Sequence, residues 1–126
     1  MLEIARAPNP KDRQDIIFCI WWPDYYDPYG YLYPLFHSEE EVMWNDAYYY
    51  NTKVDQLMDE AYAVTGTDKE KAEELYFQAQ QIIVDDAPYV FFFDYMDLRA
   101  ARASLKGVVD NPLYPYIVFW HDCYRE

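Results

Sequence analysis

The sequence predicts a mixed α/β (α+β) fold with few strands and one pair of helices. Two observations lead to this prediction. Apolar runs rich in β-branched and aromatic residues recur at Ile16–Trp22, Tyr89–Tyr95 and Tyr116–Trp120, and such runs are typical of buried strands. Between the first two runs, apolar residues recur with the period of amphipathic helices. We therefore expect a small aromatic-rich sheet packed with a helical pair.

The first run, IIFCIWW, lies between Asp15 and Pro23, and we expect it to form a strand that is buried on both faces. Residues 23–30 include two prolines, two aspartates and three tyrosines, a composition that favours turns and loops. Residues 32–36 suit one or two helical turns. An acidic run follows at Glu39–Glu41.

The first predicted helix begins at Thr52, which forms a capping-box pair with Asp55. Gly66 suits its end, since glycine is common just beyond a helix C-terminus. One face of this helix is apolar, at the spacing i, i+3, i+4 and i+7. Its members are Val54, Leu57, Met58 and Ala61.

The second predicted helix begins at Thr67, which pairs with Glu70 in the same way. Pro88 restricts the backbone of the residue before it, so the helix should end near Asp86. Because the connection between the two helices is so short, we expect an antiparallel or steeply crossed pair. The apolar stripe of the second helix comprises Ala72, Leu75, Tyr76, Ala79, Ile82 and Ile83.

Composition narrows the functional classes. The chain has 126 residues, enough for one domain that buries roughly two-thirds of its surface. A hydrophobic content of 52% is too high for a disordered chain. A net charge of −13 argues against nucleic acid and anionic lipid as partners. The aromatic content of 21% exceeds what a small core needs, so we expect part of it to face a ligand or a partner.

Export and redox features are sparse. The longest apolar run has seven residues, whereas a membrane helix needs about 20. The N-terminal segment lacks the apolar core of a signal peptide. Cys19 and Cys123 are not in CxxC spacing, which predicts ordinary thiols. A disulfide between them would require the two terminal segments to lie side by side.

The residues favour neither a catalytic nor a metal site, and we expect no cofactor. His37 lies four residues before Glu41, a spacing that two metal ligands can share on a helix, but no second histidine is near. We expect a solvated acidic turn there. Asp24 and Asp27 resemble the two carboxylates of a glycosidase cleft. Their separation of three residues on one loop suits opposite faces of a sugar poorly, so we predict that the chain is not an enzyme.

The segment WWPDYYDP, residues 21–28, is the strongest candidate for ligand binding. A carboxylate held by a proline-punctuated loop between aromatic walls can receive an amine or a cation, through charge-assisted hydrogen bonds and cation–π attraction. The alternative from residue types alone is that the aromatic residues belong to the core and Asp24 caps a turn.

Four segments in order resemble bacterial extracellular solute-binding protein family 5, the peptide- and nickel-type binding proteins of ABC importers. The resemblance covers about Ile16 to Leu113. The segments are WWPDYYDPYGYLYPLFHS, WNDAYYYNTKVDQLMDEA, KAEELYFQAQQIIVDDAPYVFFF and LKGVVDNPL. None of these motifs is highly specific alone, but their order and spacing agree with the family pattern.

The resemblance implies capture of a di- or oligopeptide outside the cell and its delivery to a membrane permease. It also implies a fold of two α/β lobes that close over the ligand. Asp24 matches the residue that pairs with the peptide α-amino group in peptide-binding members. By the same match, the side chains that line the cleft beside it are Trp21, Trp22, Tyr25 and Asp27.

Family members are several times longer and carry an export signal. We therefore expect residues 1–126 to be a segment of the C-terminal lobe, without the N-terminal lobe that supplies the other half of the cleft. Two alternatives stay open. The chain could be an assembly module whose exposed aromatic surface drives oligomerisation, such as a homodimer. It could also belong to an oligosaccharide-binding member of the same family.

Overall fold

A computed structural model describes residues 2–94, 98–109 and 118–126. The chain divides into two units, residues 1–90 and 91–126. Within the described residues, the first unit is helical and the second contains a two-stranded sheet. The helices are α1 (Leu2–Ala5), α2 (Pro28–Phe36), α3 (Thr52–Val64) and α4 (Lys69–Asp86), with a 3-10 turn at Pro10–Asp12. The combination of helices and a small sheet confirms the predicted mixed fold at this coarse level.

The core of the first unit lies between α3 and α4, with Phe36 of α2 packed against it. The predicted apolar stripes are confirmed, because every predicted position is buried except Ile82, which is half-buried. Burial of each larger aliphatic side chain contributes about 1.5–3 kcal/mol, so the helix pair is the main source of stability in this unit. The buried stripe residues are Val54, Leu57, Met58, Ala61, Ala72, Leu75, Tyr76, Ala79 and Ile83.

Both predicted capping boxes are wrong by one residue. Asn51 caps α3, and its side-chain oxygen accepts from the N–H groups of Lys53 and Val54. Asp68 caps α4 by accepting from the Lys71 N–H. Asparagine and aspartate cap at least as well as threonine, so each of them displaces the neighbouring threonine from the capping position.

The helix ends agree better with expectation. α4 ends at Asp86 as predicted, and Ala87 before Pro88 takes a left-handed backbone with φ of 50°. This conformation avoids the right-handed helical region that a following proline disfavours. α3 ends at Val64, two residues before Gly66.

The predicted strand at Ile16–Trp22 is wrong. The structure has no strand there, and Ile16 and Phe18 are 87% and 63% exposed rather than buried. Among the described residues, no backbone hydrogen bond joins 16–22 to another segment. A strand needs a neighbouring strand to satisfy its backbone groups, and the described chain offers none here.

The other two predicted strands are also absent from the residues that the structure describes. Residues 89–94 of the Tyr89–Tyr95 run are irregular, and Val90 is 79% exposed; Tyr95 lies outside the described residues. In the Tyr116–Trp120 run, residues 116 and 117 also lie outside them. Residues 118–120 form no strand, because Trp120 begins a 3-10 turn that ends at Asp122.

The sheet of the second unit was not predicted. Strand β1 (Leu105–Lys106) pairs antiparallel with β2 (Tyr124–Arg125), with Leu105 opposite Arg125. Gly107 follows β1 with φ of 78°, and a Cβ there would overlap the Asp122 carbonyl oxygen. This positive φ fits the turn predicted at Lys106–Gly107. The turn predicted at Asp110–Pro112 lies outside the described residues. Cys19 and Cys123 are both free thiols.

Candidate ligand-binding loop

The candidate loop, residues 21–27, leads directly into α2. Sequence analysis predicted a turn or loop up to Gly30, but α2 begins at Pro28. Asp27 is its N-cap, and its Oδ1 accepts a hydrogen bond of 2.8 Å from the Tyr29 N–H. Proline suits the first helical position because it lacks an N–H that would otherwise be unsatisfied. One oxygen of Asp27 is therefore engaged by the helix backbone.

Trp21 fastens the start of the loop to α2. Its Nε1 donates a hydrogen bond of 2.8 Å to the carbonyl oxygen of Gly30, which is buried. Pro34 lies inside α2 and has no N–H for the carbonyl four residues earlier, which is that of Gly30. The indole of Trp21 thus supplies the donor that the proline removes.

The middle of the loop lies against the same glycine. A Cβ added at Gly30 would be 3.1 Å from the Tyr25 carbonyl oxygen and 3.2 Å from the Pro23 Cβ. The Asp27 N–H also donates to the Tyr25 carbonyl, at 3.0 Å. Asp24 lies between Pro23 and Tyr25, so its backbone is held on both sides by contacts with the first turn of α2.

The side chains of the loop differ in exposure. Asp24 is exposed, Tyr25 is 49% exposed and Trp22 is 38% exposed. Trp21 and Asp27 are half-buried. The loop therefore presents one carboxylate and three aromatic side chains to solvent, since Tyr26 is also 69% exposed, while Trp21 and Asp27 face inward contacts.

The electrostatics of the loop favour a positive ligand. Desolvation raises the pKa of the Tyr25 hydroxyl, and the neighbouring hydroxyl of Tyr29 and the carboxylates of Asp27 and Asp24 raise it further. The two carboxylates therefore contribute a negative local potential. The same potential would attract an ammonium group.

A column of stacked rings lies along α2 and reaches α3. Tyr29 and Tyr33 stack with centroids 4.6 Å apart, and Tyr33 stacks on His37 at 4.1 Å. Tyr62 of α3 joins the column at 4.6 Å from Tyr29. Desolvation is the first cause that raises the pKa of both Tyr29 and Tyr33. Sequence analysis missed this column, although the four-residue spacing of its α2 members was a visible signal.

The far end of this column carries a histidine and a carboxylate. His37 Nε2 lies 3.4 Å from Asp59 Oδ1, an ion-pair distance without hydrogen-bond alignment. His37 therefore belongs to the α2–α3 contact. Within the described residues, no cluster of three or more His, Cys, Asp or Glu side chains is arranged to hold a metal ion.

Comparison with known proteins identifies the family. The chain is 36% identical over 104 residues to the probable D,D-dipeptide-binding periplasmic protein DdpA of Escherichia coli, a match that covers 82% of this chain. It is 32% identical over 100 residues to heme-binding protein A of Haemophilus influenzae, covering 79%. The peptide transport periplasmic protein SapA of the same organism is 24% identical over 109 residues, covering 86%. The resemblance to extracellular solute-binding protein family 5 is confirmed.

The chain spans about a fifth of the length of these curated relatives, since the matches cover 20%, 18% and 19% of them. No protein-family model and no solved structure matches it. None of the helices described in the structure has the length and apolar character needed to cross a membrane.

The surroundings of Trp21 include residues that sequence analysis did not connect with the loop. Trp44 meets Trp21 edge to face, with ring centroids 5.4 Å apart. The Arg6 guanidinium lies 5.1 Å from the Trp44 ring centroid, and its Nε donates to Asp46 Oδ1 at 3.2 Å. These contacts join residues up to 40 positions apart, so no local sequence pattern predicts them.

Asn45 holds the segment that carries Trp44. Asn45 is 1% exposed, and both the nitrogen and the oxygen of its side-chain amide form hydrogen bonds. Nδ2 donates to the carbonyl oxygens of Tyr49 and His37, at 2.8 and 3.2 Å, and Oδ1 accepts from the Tyr49 N–H at 3.0 Å. A buried amide with every contact satisfied fixes the loop between α2 and α3.

Proposed function

We propose that this chain is a segment of the C-terminal lobe of an extracytoplasmic solute-binding protein that delivers a peptide to an ABC permease. The observation that supports the proposal most is the exposed Asp24 on a loop fastened to α2. The names of two relatives, a D,D-dipeptide-binding protein and a peptide transport protein, both periplasmic, support the same solute class and location.

In this proposal Asp24 receives the α-amino group of the peptide. An ammonium–carboxylate hydrogen bond is roughly twice as strong as a neutral one. The exposed rings of Trp22 and Tyr25 would add cation–π attraction. Trp21 and Asp27 contribute indirectly, since their contacts with α2 hold the loop in place. The chain carries out no reaction in this proposal.

The second lobe of the full cleft would come from the rest of the parent protein, as in a two-lobed binding protein. A loop with half its pocket binds weakly, because fewer contacts offset the entropy lost on association. A suitable test therefore uses a method that detects millimolar affinity.

The test is an NMR titration of the isotope-labelled chain with dialanine and with N-acetyl-dialanine, which lacks the ammonium group. We expect saturable shifts at the amides of residues 22–27 with dialanine, and affinity lower by about tenfold or more for the acetylated peptide. Asp24→Asn should lower the affinity for dialanine by the same factor.

Asp12→Asn is the matched control, because it removes the same charge from an exposed position in the 3-10 turn at Pro10–Asp12. Equal affinity of the wild-type chain and Asp24→Asn for dialanine would refute the role of Asp24. Equal affinity of dialanine and its acetylated form would refute amine recognition by this loop.

A second candidate function is assembly through the exposed apolar segment 16–20. Phe18 and Ile20 are 63% and 51% exposed, and contiguous apolar exposure marks interaction surfaces. Light scattering at increasing protein concentration tests this function. A mass that stays monomeric would exclude it, whereas a dimer that Phe18→Ser dissociates would support it.

A further inference from the structure

We propose that a small cavity of the first unit binds a carboxylate group through Arg13. This inference does not depend on the proposed peptide function. The cavity has a volume of about 100 Å³ and lies between the N-terminal segment and the loop before α3. Its lining comprises Ala5, Arg13, Gln14, Ile17, Asp46 and Tyr48.

Arg13 is held in place without an acidic partner. Its Nε donates to the Ala7 carbonyl oxygen at 2.8 Å, and its guanidinium carbon lies 4.0 Å from the centroid of the Tyr48 ring. Among the described residues, no carboxylate lies within ion-pair distance of it. The terminal nitrogens of an arginine form a planar fork of donors that matches a carboxylate in two parallel hydrogen bonds.

The negative charge of Asp46, the acidic residue in the lining, is already paired with Arg6. Asp46 Oδ1 accepts from Arg6 Nε at 3.2 Å, and its side chain is 6% exposed. Arg6 also has a buried Nη2 with no hydrogen-bond partner among the described residues. Together Arg6, Arg13 and Asp46 carry one net positive charge, which is a local exception in a chain of net charge −13.

Tyr48 adds an independent indication of a site. Its backbone φ is 53°, the left-handed region that a bulky residue rarely adopts. The strained conformation is fixed by a hydrogen bond of 2.9 Å from the Tyr48 hydroxyl to the Ala5 carbonyl oxygen. The result is a ring that supports the Arg13 guanidinium at the cavity wall. Such strain concentrates at binding and catalytic sites.

The chemistry of the lining selects a monocarboxylate. A dianion such as phosphate would meet the Asp46 carboxylate as well as Arg13, and like charges repel. Ala5 and Ile17 offer apolar surface for a short side chain next to the carboxylate. The small volume excludes a large ligand. We therefore expect a carboxylate that carries a methyl-sized group, either as a free acid or as the C-terminus of a peptide.

N-acetylalanine is the first probe, because it has the carboxylate and the methyl group but no amine for Asp24. In an NMR titration of the labelled chain, we expect saturable shifts at the amides of Gln14, Ile17 and Tyr48. N-acetylalaninamide, which lacks the carboxylate, should give affinity lower by about tenfold or more. A comparison of propionate with N-acetyl-dialanine, which both lack an amine, then distinguishes a free acid from a peptide terminus as the preferred source.

Arg13→Gln should lower the affinity for N-acetylalanine by about tenfold or more, whereas Lys11→Gln should leave it unchanged. Lys11 is exposed and outside the cavity, so this control makes the same change in charge. Asp24→Asn should have no effect, which separates this site from the proposed amine site. Equal binding of acid and amide by the wild-type chain, or tighter binding of inorganic phosphate, would overturn the proposal.

Discussion

The Trp21 indole donates a hydrogen bond to the Gly30 carbonyl oxygen at 2.8 Å, and Pro34 is the reason that this carbonyl is available. In an uninterrupted helix the N–H of residue 34 would bond the carbonyl of residue 30. Proline has no N–H, so the carbonyl would otherwise be buried without a partner. The loop that carries Asp24 is thus attached to α2 at a position created by a helix defect.

This relationship predicts coupling between Trp21 and Pro34. Trp21→Phe leaves the Gly30 carbonyl unsatisfied and should lower the free energy of unfolding by about 1–3 kcal/mol beyond the lost packing. In a Pro34→Ala background the new N–H at position 34 can replace the indole, so the loss should be smaller. Urea unfolding of the four proteins of this cycle should give a coupling of about 1 kcal/mol. Additive losses would show that the proline is irrelevant to the Trp21 bond.

Gly30 predicts a contrast with Gly66. A Cβ at Gly30 would approach the Tyr25 carbonyl oxygen at 3.1 Å and the Pro23 Cβ at 3.2 Å, and neither atom belongs to a flexible side chain. We expect Gly30→Ala to lower the free energy of unfolding by about 1 kcal/mol and to shift the amide resonances of residues 23–25. Gly66 has open space around it and no positive φ. Gly66→Ala should therefore be neutral or stabilising by about 0.4–1 kcal/mol; equal effects at both positions would contradict the close approach at Gly30.

The helix caps give a third prediction. Asp68 accepts the Lys71 N–H at 3.0 Å, so Asp68→Ala should lower the free energy of unfolding by about 1 kcal/mol. Thr67→Ala should cost less than about 0.5 kcal/mol, because its hydroxyl makes an exposed bond of 3.2 Å to the Val64 carbonyl oxygen. Thermal or urea unfolding separates the two. A larger loss at Thr67 would restore the capping box that the sequence suggested.

The helices were predictable from sequence because their signals are local. The spacing of Val54, Leu57, Met58 and Ala61 marks one face whatever covers it. The cap positions were harder, because Asn51 and Thr52 are adjacent and either can cap a helix. A structure had to show which of them has the extended backbone.

The strands were not predictable in the same way, since a strand depends on a neighbour. The run at Ile16–Trp22 has strand composition, but within the described residues no segment hydrogen-bonds to it. The short β1–β2 pair forms instead between segments with little strand signal. At the candidate site, Asp24 and its aromatic neighbours were visible in sequence. The contacts of Trp21 with Trp44, and of Arg6 with Asp46, depend on the folded chain and were not.

The last prediction concerns Tyr49 and Asp86. The Tyr49 hydroxyl donates to Asp86 Oδ2 at 2.6 Å, and Asn51 Nδ2 donates to the same oxygen at 2.9 Å. Desolvation, followed by the bond to Asp86, raises the pKa of Tyr49 from 10.0 to about 12. The hydrogen bonds from Tyr49 and Asn51 lower the pKa of Asp86. The pair therefore joins the loop before α3 to the end of α4 in a pH-dependent way.

The folded chain keeps the Tyr49 proton more tightly than the unfolded chain does, so its stabilisation is fully present below pH 10 and is lost as the pH rises through about 12. Asp86 has the opposite sign: its contribution is present above the ordinary carboxyl pKa and is lost on acidification. Tyr49→Phe removes the hydroxyl, so it should reduce both the loss of stability at alkaline pH and the loss on acidification. Tyr76 and Tyr89 also have pKa values raised to about 12, so the loss of stability at alkaline pH should become smaller without disappearing.

Urea unfolding across the pH range measures these changes in stability, with Tyr50→Phe as the control, because Tyr50 is 73% exposed. Identical pH profiles for the wild-type chain and Tyr49→Phe would show that the hydroxyl–carboxylate bond does not stabilise the fold.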